Sequence, residues 1–236
     1  MEHTVRAYDA ELDAITAELA RMGGLAEAEI ADALRAIADR DVALAETVIE
    51  RDARLDALEA DIQQKAIRLI AIRQPVADDL RRTVAAIKIS GDLERCGDLA
   101  KNIAKRAVVI AESEPLAPVT SSIERMGELV AMRLKEVLDA LSARDLDRAV
   151  AVWTEDHEVD EHYEAIFREL LTYMMGDPRL ITACAHLLFV AKNLERIGDH
   201  ATNIAEDLYF EITGTPLSER RPKHGDMGSH EHVHEH

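Results

Sequence analysis

Apolar residues recur along almost the whole chain in steps of three and four, the spacing that places them on one face of an α-helix. The pattern predicts six helices and no strands. Helix-breaking residues separate several of them: Pro75, the pair Pro115 and Pro118, and the run Gly176-Asp177-Pro178. The predicted helices cover residues 4–38, 42–73, 76–112, 118–142, 146–174 and 178–213.

The second half of the chain repeats the first. Asp39-Arg40-Asp41 returns 104 residues later as Ala143-Arg144-Asp145. The run Leu-Glu-Arg-Cys-Gly-Asp at residues 93–98 returns 101 residues later as Leu-Glu-Arg-Ile-Gly-Asp. The repeat predicts an all-α fold of two antiparallel three-helix bundles, at residues 4–112 and 118–214, related by a pseudo-twofold axis.

Each half carries two pairs of acidic residues spaced four apart. Two such acids project side by side from one helix and repel each other unless a cation lies between them. In antiparallel hairpins that turn near Gln74 and Gly176, the four acids of each half lie at nearly the same height. Their helix phase places Glu94, Asp98, Glu195 and Asp199 on the exposed face. Hard cations take oxygen ligands, so we predict two metal sites. The first carboxylate cluster is Asp52, Asp56, Glu94 and Asp98; the second is Asp156, Asp160, Glu195 and Asp199.

The residues between these acids also repeat. Arg95 and Arg196 either form salt bridges with the acids, or orient them and attract an anion. Glycines in the middle of a helix cost about 1 kcal/mol relative to alanine. Their repetition at positions 97 and 198 indicates close approach of a neighbouring helix or a metal. Cys96 lies on the apolar stripe and has Ile197 as its counterpart, so we predict a packing residue.

Charge and composition narrow the classes of partner. The formal net charge is −18, which disfavours nucleic acid and anionic membranes and favours cations or basic protein surfaces. No apolar run approaches the roughly 20 residues needed to cross a bilayer, and no signal peptide is predicted. Two cysteines without a pairing pattern fit a reducing compartment. We therefore expect a cytoplasmic protein without membrane insertion.

The C-terminal segment, residues 215–236, has a different composition. Five histidines stand among Gly, Ser and Glu residues. This pattern predicts a disordered tail. Its alternating histidines could bind borderline metals such as zinc or nickel, or they could be inert.

Three segments carry a resemblance to a known family. They are the twelve residues 93–104, their copy at 194–205, and the Gln-Pro-x-x-x-Asp-Leu-Arg turn at 74–81. With these motifs, over about residues 4–214, the chain resembles the PhoU family of regulators associated with high-affinity phosphate transport. Cys96 departs from the usual aliphatic residue, and the His-rich tail matches no family feature.

The resemblance implies a fold of six helices in two bundles, with clusters of iron or other divalent metal ions on the two carboxylate clusters. It implies a negative regulator of phosphate uptake and of the phosphate-starvation response. The implied partners are the ATPase of a phosphate ABC transporter and a phosphate-sensing histidine kinase. We also expect a homodimer.

Three functional hypotheses remain open from the sequence. The first is this metal-binding regulator, which acts by protein contact and is not an enzyme. The second is a metal-free helical scaffold whose acidic faces are only solvated. The third, a carboxylate-bridged di-iron enzyme, is disfavoured because such sites use Glu-x-x-His motifs that point into the bundle core, and none occurs before the tail.

Overall fold

The computed structural model describes the backbone of residues 2–113 and 115–217, with the side chains of those residues other than 2–7 and 9. Within these ranges every regular element is helical. The tail prediction falls mostly on residues 218–236, which lie outside the described residues. The helices are α1 (Glu2–Ala38), α2 (Val42–Arg51), α3 (Ala53–Arg73), α4 (Asp78–Ile110), α5 (Ala117–Ala143), α6 (Leu146–Thr154), α7 (His157–Gly176) and α8 (Ile181–Thr213), with a 3-10 turn at Pro178–Leu180.

The six predicted helices are confirmed, but two of them are interrupted. The second is split at Asp52 into α2 and α3, and the fifth is split before His157 into α6 and α7. At each break a backbone N–H bonds three residues back, from Leu55 to the Asp52 carbonyl at 2.9 Å and from Val159 to the Asp156 carbonyl at 3.1 Å. Such a tighter 3-10 turn kinks a helix. Both kinks therefore fall on residues predicted to bind metal.

The helices pack as the two predicted bundles. Helices α1 to α4 pack on one another, as do α5 to α8, and α4 joins the bundles by packing along α8. The Arg81 Nε donates to the Glu211 carbonyl at 3.2 Å, and the Arg106 guanidinium lies 3.4 Å from His186 Nδ1. The first contact joins the start of α4 to the end of α8, and the second joins the end of α4 to the start of α8. The two helices are therefore antiparallel. The domain limits at 4–112 and 118–214 stay a prediction.

Reciprocal glycine contacts repeat the pseudo-twofold relation where α1 crosses α5. A Cβ atom on Gly23 would lie 2.7 Å from a methyl carbon of Leu138, and one on Gly127 would lie 2.5 Å from a methyl carbon of Leu34. Both pairs are related by the 104-residue offset. Each helix therefore lacks a side chain where the leucine of its partner enters.

The helix ends repeat as well. The Asp41 and Asp145 side chains cap α2 and α6 by accepting from the N–H of Leu44 at 2.9 Å and of Arg148 at 3.1 Å. Carboxylate caps satisfy N–H groups that have no partner inside the helix. The preceding Arg40 and Arg144 both adopt left-handed backbone angles, with φ of 56° and 54°.

The apolar stripes predicted for the third and sixth helices are confirmed as core. In α4 the buried positions include Ile89, Leu93, Cys96, Ala100, Ile103, Ala107 and Ile110; in α8 they include Val190, Leu194, Ile197, Ala201, Ile204 and Leu208. Among the described residues no helix is long and apolar enough to cross a membrane.

We expect Gly23→Ala and Gly24→Ala to differ in stability although they are adjacent in α1. A Cβ on Gly24 meets nothing within 4 Å, so alanine there gains about 1 kcal/mol from helix propensity. A Cβ on Gly23 must displace Leu138, and overpacking costs about 1–3 kcal/mol. Urea unfolding of both variants measures the difference. Equal stabilisation of the two variants would contradict the close α1–α5 crossing.

Candidate functional site

The first carboxylate cluster lies where the α2–α3 kink meets α4. Asp52 sits at the kink and is only 5% exposed, whereas Asp56 is exposed one turn later. Glu94 and Asp98 lie half-buried on the facing side of α4. Burial, and then the negative charge of Asp98, raise the pKa of Glu94, with smaller contributions from Glu59 and Asp56. Asp56 and Asp98 therefore lie near enough to Glu94 for their charges to act on it, and the metal-binding role of these acids stays a prediction.

A lysine lies inside the first carboxylate cluster. Lys101 Nζ donates to Asp52 Oδ2 at 2.5 Å and to Asp98 Oδ1 at 2.6 Å. Partial burial lowers the pKa of the Lys101 ammonium, but its hydrogen bonds to the two carboxylates outweigh that effect and raise it. The lysine thus stays charged and ties the kink to α4.

A fifth acid, Glu29 of α1, faces the same place. It is 2% exposed, and its Oε2 atom is buried without a hydrogen-bond partner among the described residues. Burial, and then the charge of Asp52, raise the pKa of Glu29 from 4.5 to about 7. Sequence reasoning missed this residue, although an acid next to Ile30 on the apolar stripe of α1 was a visible signal.

The second carboxylate cluster has different neighbours. Asp156, at the α6–α7 kink, accepts a hydrogen bond from Thr202 Oγ1 at 2.9 Å, and Glu195 accepts one from Lys192 Nζ at 2.6 Å. Asp199 is half-buried on α8, and Asp160 is exposed on α7. The acid at the kink is therefore bound by a lysine in the first half and by a threonine hydroxyl in the second.

Arg133 supplies a buried positive charge beside the second carboxylate cluster. It is 6% exposed on α5 and forms ion pairs with Glu136 at 3.0 Å, with Glu158 at 2.7 Å and with Glu155. Glu155 directly precedes Asp156 at the kink. A buried arginine is stable only when acids surround it, so these three glutamates fix the guanidinium beside α6 and α7.

The donor atoms of both clusters suit a hard cation, but their arrangement does not. In residues 2–113 and 115–217, no group of three or more His, Cys, Asp or Glu side chains could hold a metal ion. In the first half the Lys101 ammonium fills the space between Asp52 and Asp98. The metal sites stay a prediction from the sequence, and the side chains as placed do not fit one.

The residues between the acids either form salt bridges or let a neighbouring helix approach closely. Arg95 lies 3.6 Å from Glu94 and 3.8 Å from Asp98, which supports the salt-bridge interpretation over anion binding. A Cβ on Gly97 would collide with a methyl group of Leu55, and one on Gly198 would lie 3.3 Å from Val159 Cγ1. Close helix approach therefore accounts for both glycines without a metal.

Neither cysteine is placed for reactivity. Cys96 and Cys184 are free and fully buried, as predicted for a packing role of Cys96. Burial raises the pKa of both thiols. Since the thiolate is the reactive form, the arrangement opposes nucleophilic chemistry.

A groove of about 600 Å³ runs between α4 and α8 beside the first carboxylate cluster. Asp92 Oδ1 lies 2.8 Å from His200 Nδ1 across it, and Lys88 Nζ donates to Asp207 Oδ1 at 2.7 Å. Sequence analysis did not predict the groove, because its two walls are more than 100 residues apart along the chain.

We expect Glu29 to make stability fall with rising pH. Its folded pKa of about 7 exceeds the usual 4.5, so its contribution is fully present below about pH 4.5 and is lost as pH rises through 7. Glu29→Gln should therefore gain up to about 3 kcal/mol relative to wild type between pH 5 and pH 8. Denaturant unfolding in chelator measures this, with the exposed Glu46→Gln as control. A difference that does not change with pH would contradict the buried, protonated Glu29.

Comparisons with family models and with known proteins agree on one family. The model of the PhoU domain matches residues 19–107 and 123–208, once in each bundle. Over 222 residues the chain is 64% identical to a protein of Caulobacter vibrioides named phosphate-specific transport system accessory protein PhoU homolog, covering 94% of this chain and 96% of that one. It is 50% identical to a protein of the same name from Rhizobium meliloti, covering 96% and 95% of the two chains.

Two solved structures have the same fold as this chain. The crystal structure of PhoU from Pseudomonas aeruginosa superposes with a TM-score of 0.86 at 39% identity, covering 88% of this chain and all of that one. The phosphate transport system regulatory protein PhoU from Streptococcus pneumoniae superposes with a TM-score of 0.83 at 27% identity, covering 90% of this chain and all of that one. The paired helical repeats, the sequence identity and the shared fold show that this chain belongs to the PhoU family.

Proposed function

We propose that this protein is an accessory protein of a phosphate-specific transport system and restrains phosphate uptake by contacting other proteins. The observation that carries the proposal is 64% identity, over 94% of this chain, to a relative named as such an accessory protein. The names of the relatives also support a role without catalysis. The buried thiols and the closely ion-paired acids agree with that role, because neither offers a reactive group to a substrate.

The proposal extends to where the protein acts and on what. A regulator of uptake must meet the transporter on the cytoplasmic side, where its ATPase lies, and we propose that ATPase and a phosphate-sensing histidine kinase as the two partners. The net charge of −18 favours basic surfaces on both. A homodimer stays a prediction.

A metal-free scaffold is the second candidate, and one observation favours it. The position between Asp52 and Asp98 already holds an ammonium group, so these two acids have a positive partner without an added ion. The proposed regulation therefore rests on the shape and charge of the bundles, and no step of it passes through a metal.

We expect the chain to lower phosphate uptake in a bacterium whose own PhoU protein has been deleted. In phosphate-rich medium such a strain should take up labelled phosphate several-fold faster than its parent and express phosphate-starvation genes. Production of this chain should restore low uptake and low expression. Two results together would reject the proposal. Phosphate uptake would stay as fast as in the deletion strain although the chain is produced at normal levels, and the transporter ATPase of the host would not co-purify with the chain.

The carboxylate clusters can be tested in the same strain. If their charge forms part of the contact surface, replacing Glu94, Asp98, Glu195 and Asp199 by alanine should weaken repression and reduce co-purification of the ATPase. The matched control replaces four exposed acids elsewhere, Glu46, Glu50, Glu128 and Asp147, and removes the same charge. Equal repression by both variants would show that the clusters serve the fold and not the contact.

A further inference from the structure

The ammonium of Lys101 occupies the place that a bridging cation would take. Its Nζ atom lies 2.5 Å from Asp52 Oδ2 and 2.6 Å from Asp98 Oδ1. The lysine side chain is 21% exposed and that of Asp52 is 8% exposed, so both charges are largely removed from water. Each would be costly to bury without the other.

Glu29 adds a further buried carboxyl group beside this ion pair. Its Oε2 atom is buried and has no hydrogen-bond partner among the side chains that the structure describes. That atom lies against α4, 3.4 Å from where a Cβ of Gly97 would be. The charge of Asp52 and the opposite charge of Lys101 both act on Glu29. The Lys101 ammonium thus joins the kink to α4, and an unpartnered carboxyl oxygen from α1 lies against the same part of α4.

The second half shows that the lysine is not required by the fold. The repeat offset of 101 places Thr202 at the position of Lys101, and the offset of 104 places Arg133 at the position of Glu29. Thr202 donates a hydrogen bond to Asp156 at 2.9 Å and carries no charge. The positive charge comes instead from Arg133 on α5. The two halves therefore place a positive charge beside the kink from different helices, α4 in the first half and α5 in the second.

We propose that the Lys101 ammonium is the resident cation of the first carboxylate cluster and takes the place of a metal there, so that this cluster binds no metal while Lys101 is present. The inference concerns only residues of this chain and does not rest on the proposed transport function. It predicts that removing the ammonium leaves the facing carboxylates of Asp52 and Asp98 without their cation and lets a hard divalent cation enter between them.

The test is the uptake of Mn²⁺ by the full-length chain, because Mn²⁺ prefers oxygen ligands. Lys101→Thr installs the residue that the second half carries at this position. We expect it to bind one more equivalent of Mn²⁺ than wild type, measured by equilibrium dialysis and elemental analysis. Lys105→Thr, an exposed residue one turn later on α4, is the matched control and should bind as wild type does. All three proteins carry the same histidine tail, so its contribution cancels.

A second pair of measurements locates the ion. Mn²⁺ should raise the thermal midpoint of Lys101→Thr more than that of wild type, because a ligand stabilises the state that binds it. Adding Asp52→Asn to Lys101→Thr should remove both the extra equivalent and the extra rise. Absence of an extra equivalent in folded Lys101→Thr overturns the proposal.

A further variant decides the question if Lys101→Thr does not fold. Asp98→Asn leaves Lys101 in place and changes a side chain that is 32% exposed. Unchanged Mn²⁺ uptake in this variant agrees with a first cluster that holds no metal. Loss of an equivalent overturns the proposal, because the wild-type cluster would then contain a metal beside Lys101.

Discussion

Burial of the apolar stripes of α4 and α8 is the constraint on which the rest of the structure depends. Each of these helices is 33 residues long and contributes core side chains along its whole length. Each buried Leu, Ile or Val contributes about 1.5–3 kcal/mol relative to exposure. Because the two helices also pack on each other, they fix where every other helix of both bundles can lie.

The kinks and glycines follow from that constraint. Helices α3 and α7 approach α4 and α8 closely only because Leu55 and Val159 meet Gly97 and Gly198. The kink just before each of these residues turns Asp52 and Asp156 toward the neighbouring helix. A carboxylate carried inward in this way needs a partner, since an unpaired buried charge is strongly destabilising.

The two halves meet this need with different residues, which shows how a duplicated fold can diverge without losing its shape. In the first half a lysine from α4 binds the inward acid, and a glutamate from α1 stays beside it with a raised pKa. In the second half a threonine hydroxyl binds it, and an arginine from α5 carries the charge. The groove between the bundles is likewise asymmetric: Lys88 binds Asp207, whereas the positions related to them by the repeat, Phe189 and Arg106, stack with the guanidinium 4.9 Å from the ring centre.

The sequence by itself determined the six long helical segments and their pseudo-twofold arrangement, and it predicted the eight acids as candidate metal ligands. The physical reason is that apolar spacing, prolines and a repeat offset are local or periodic signals. The tertiary structure alone decided three features: the kinks at Asp52 and Asp156, the burial of Glu29 Oε2 without a hydrogen-bond partner among the described residues, and the position of the Lys101 ammonium between Asp52 and Asp98. Lys101 lies 49 residues from Asp52 along the chain. Only the packing of α3 on α4 brings this lysine between the two acids.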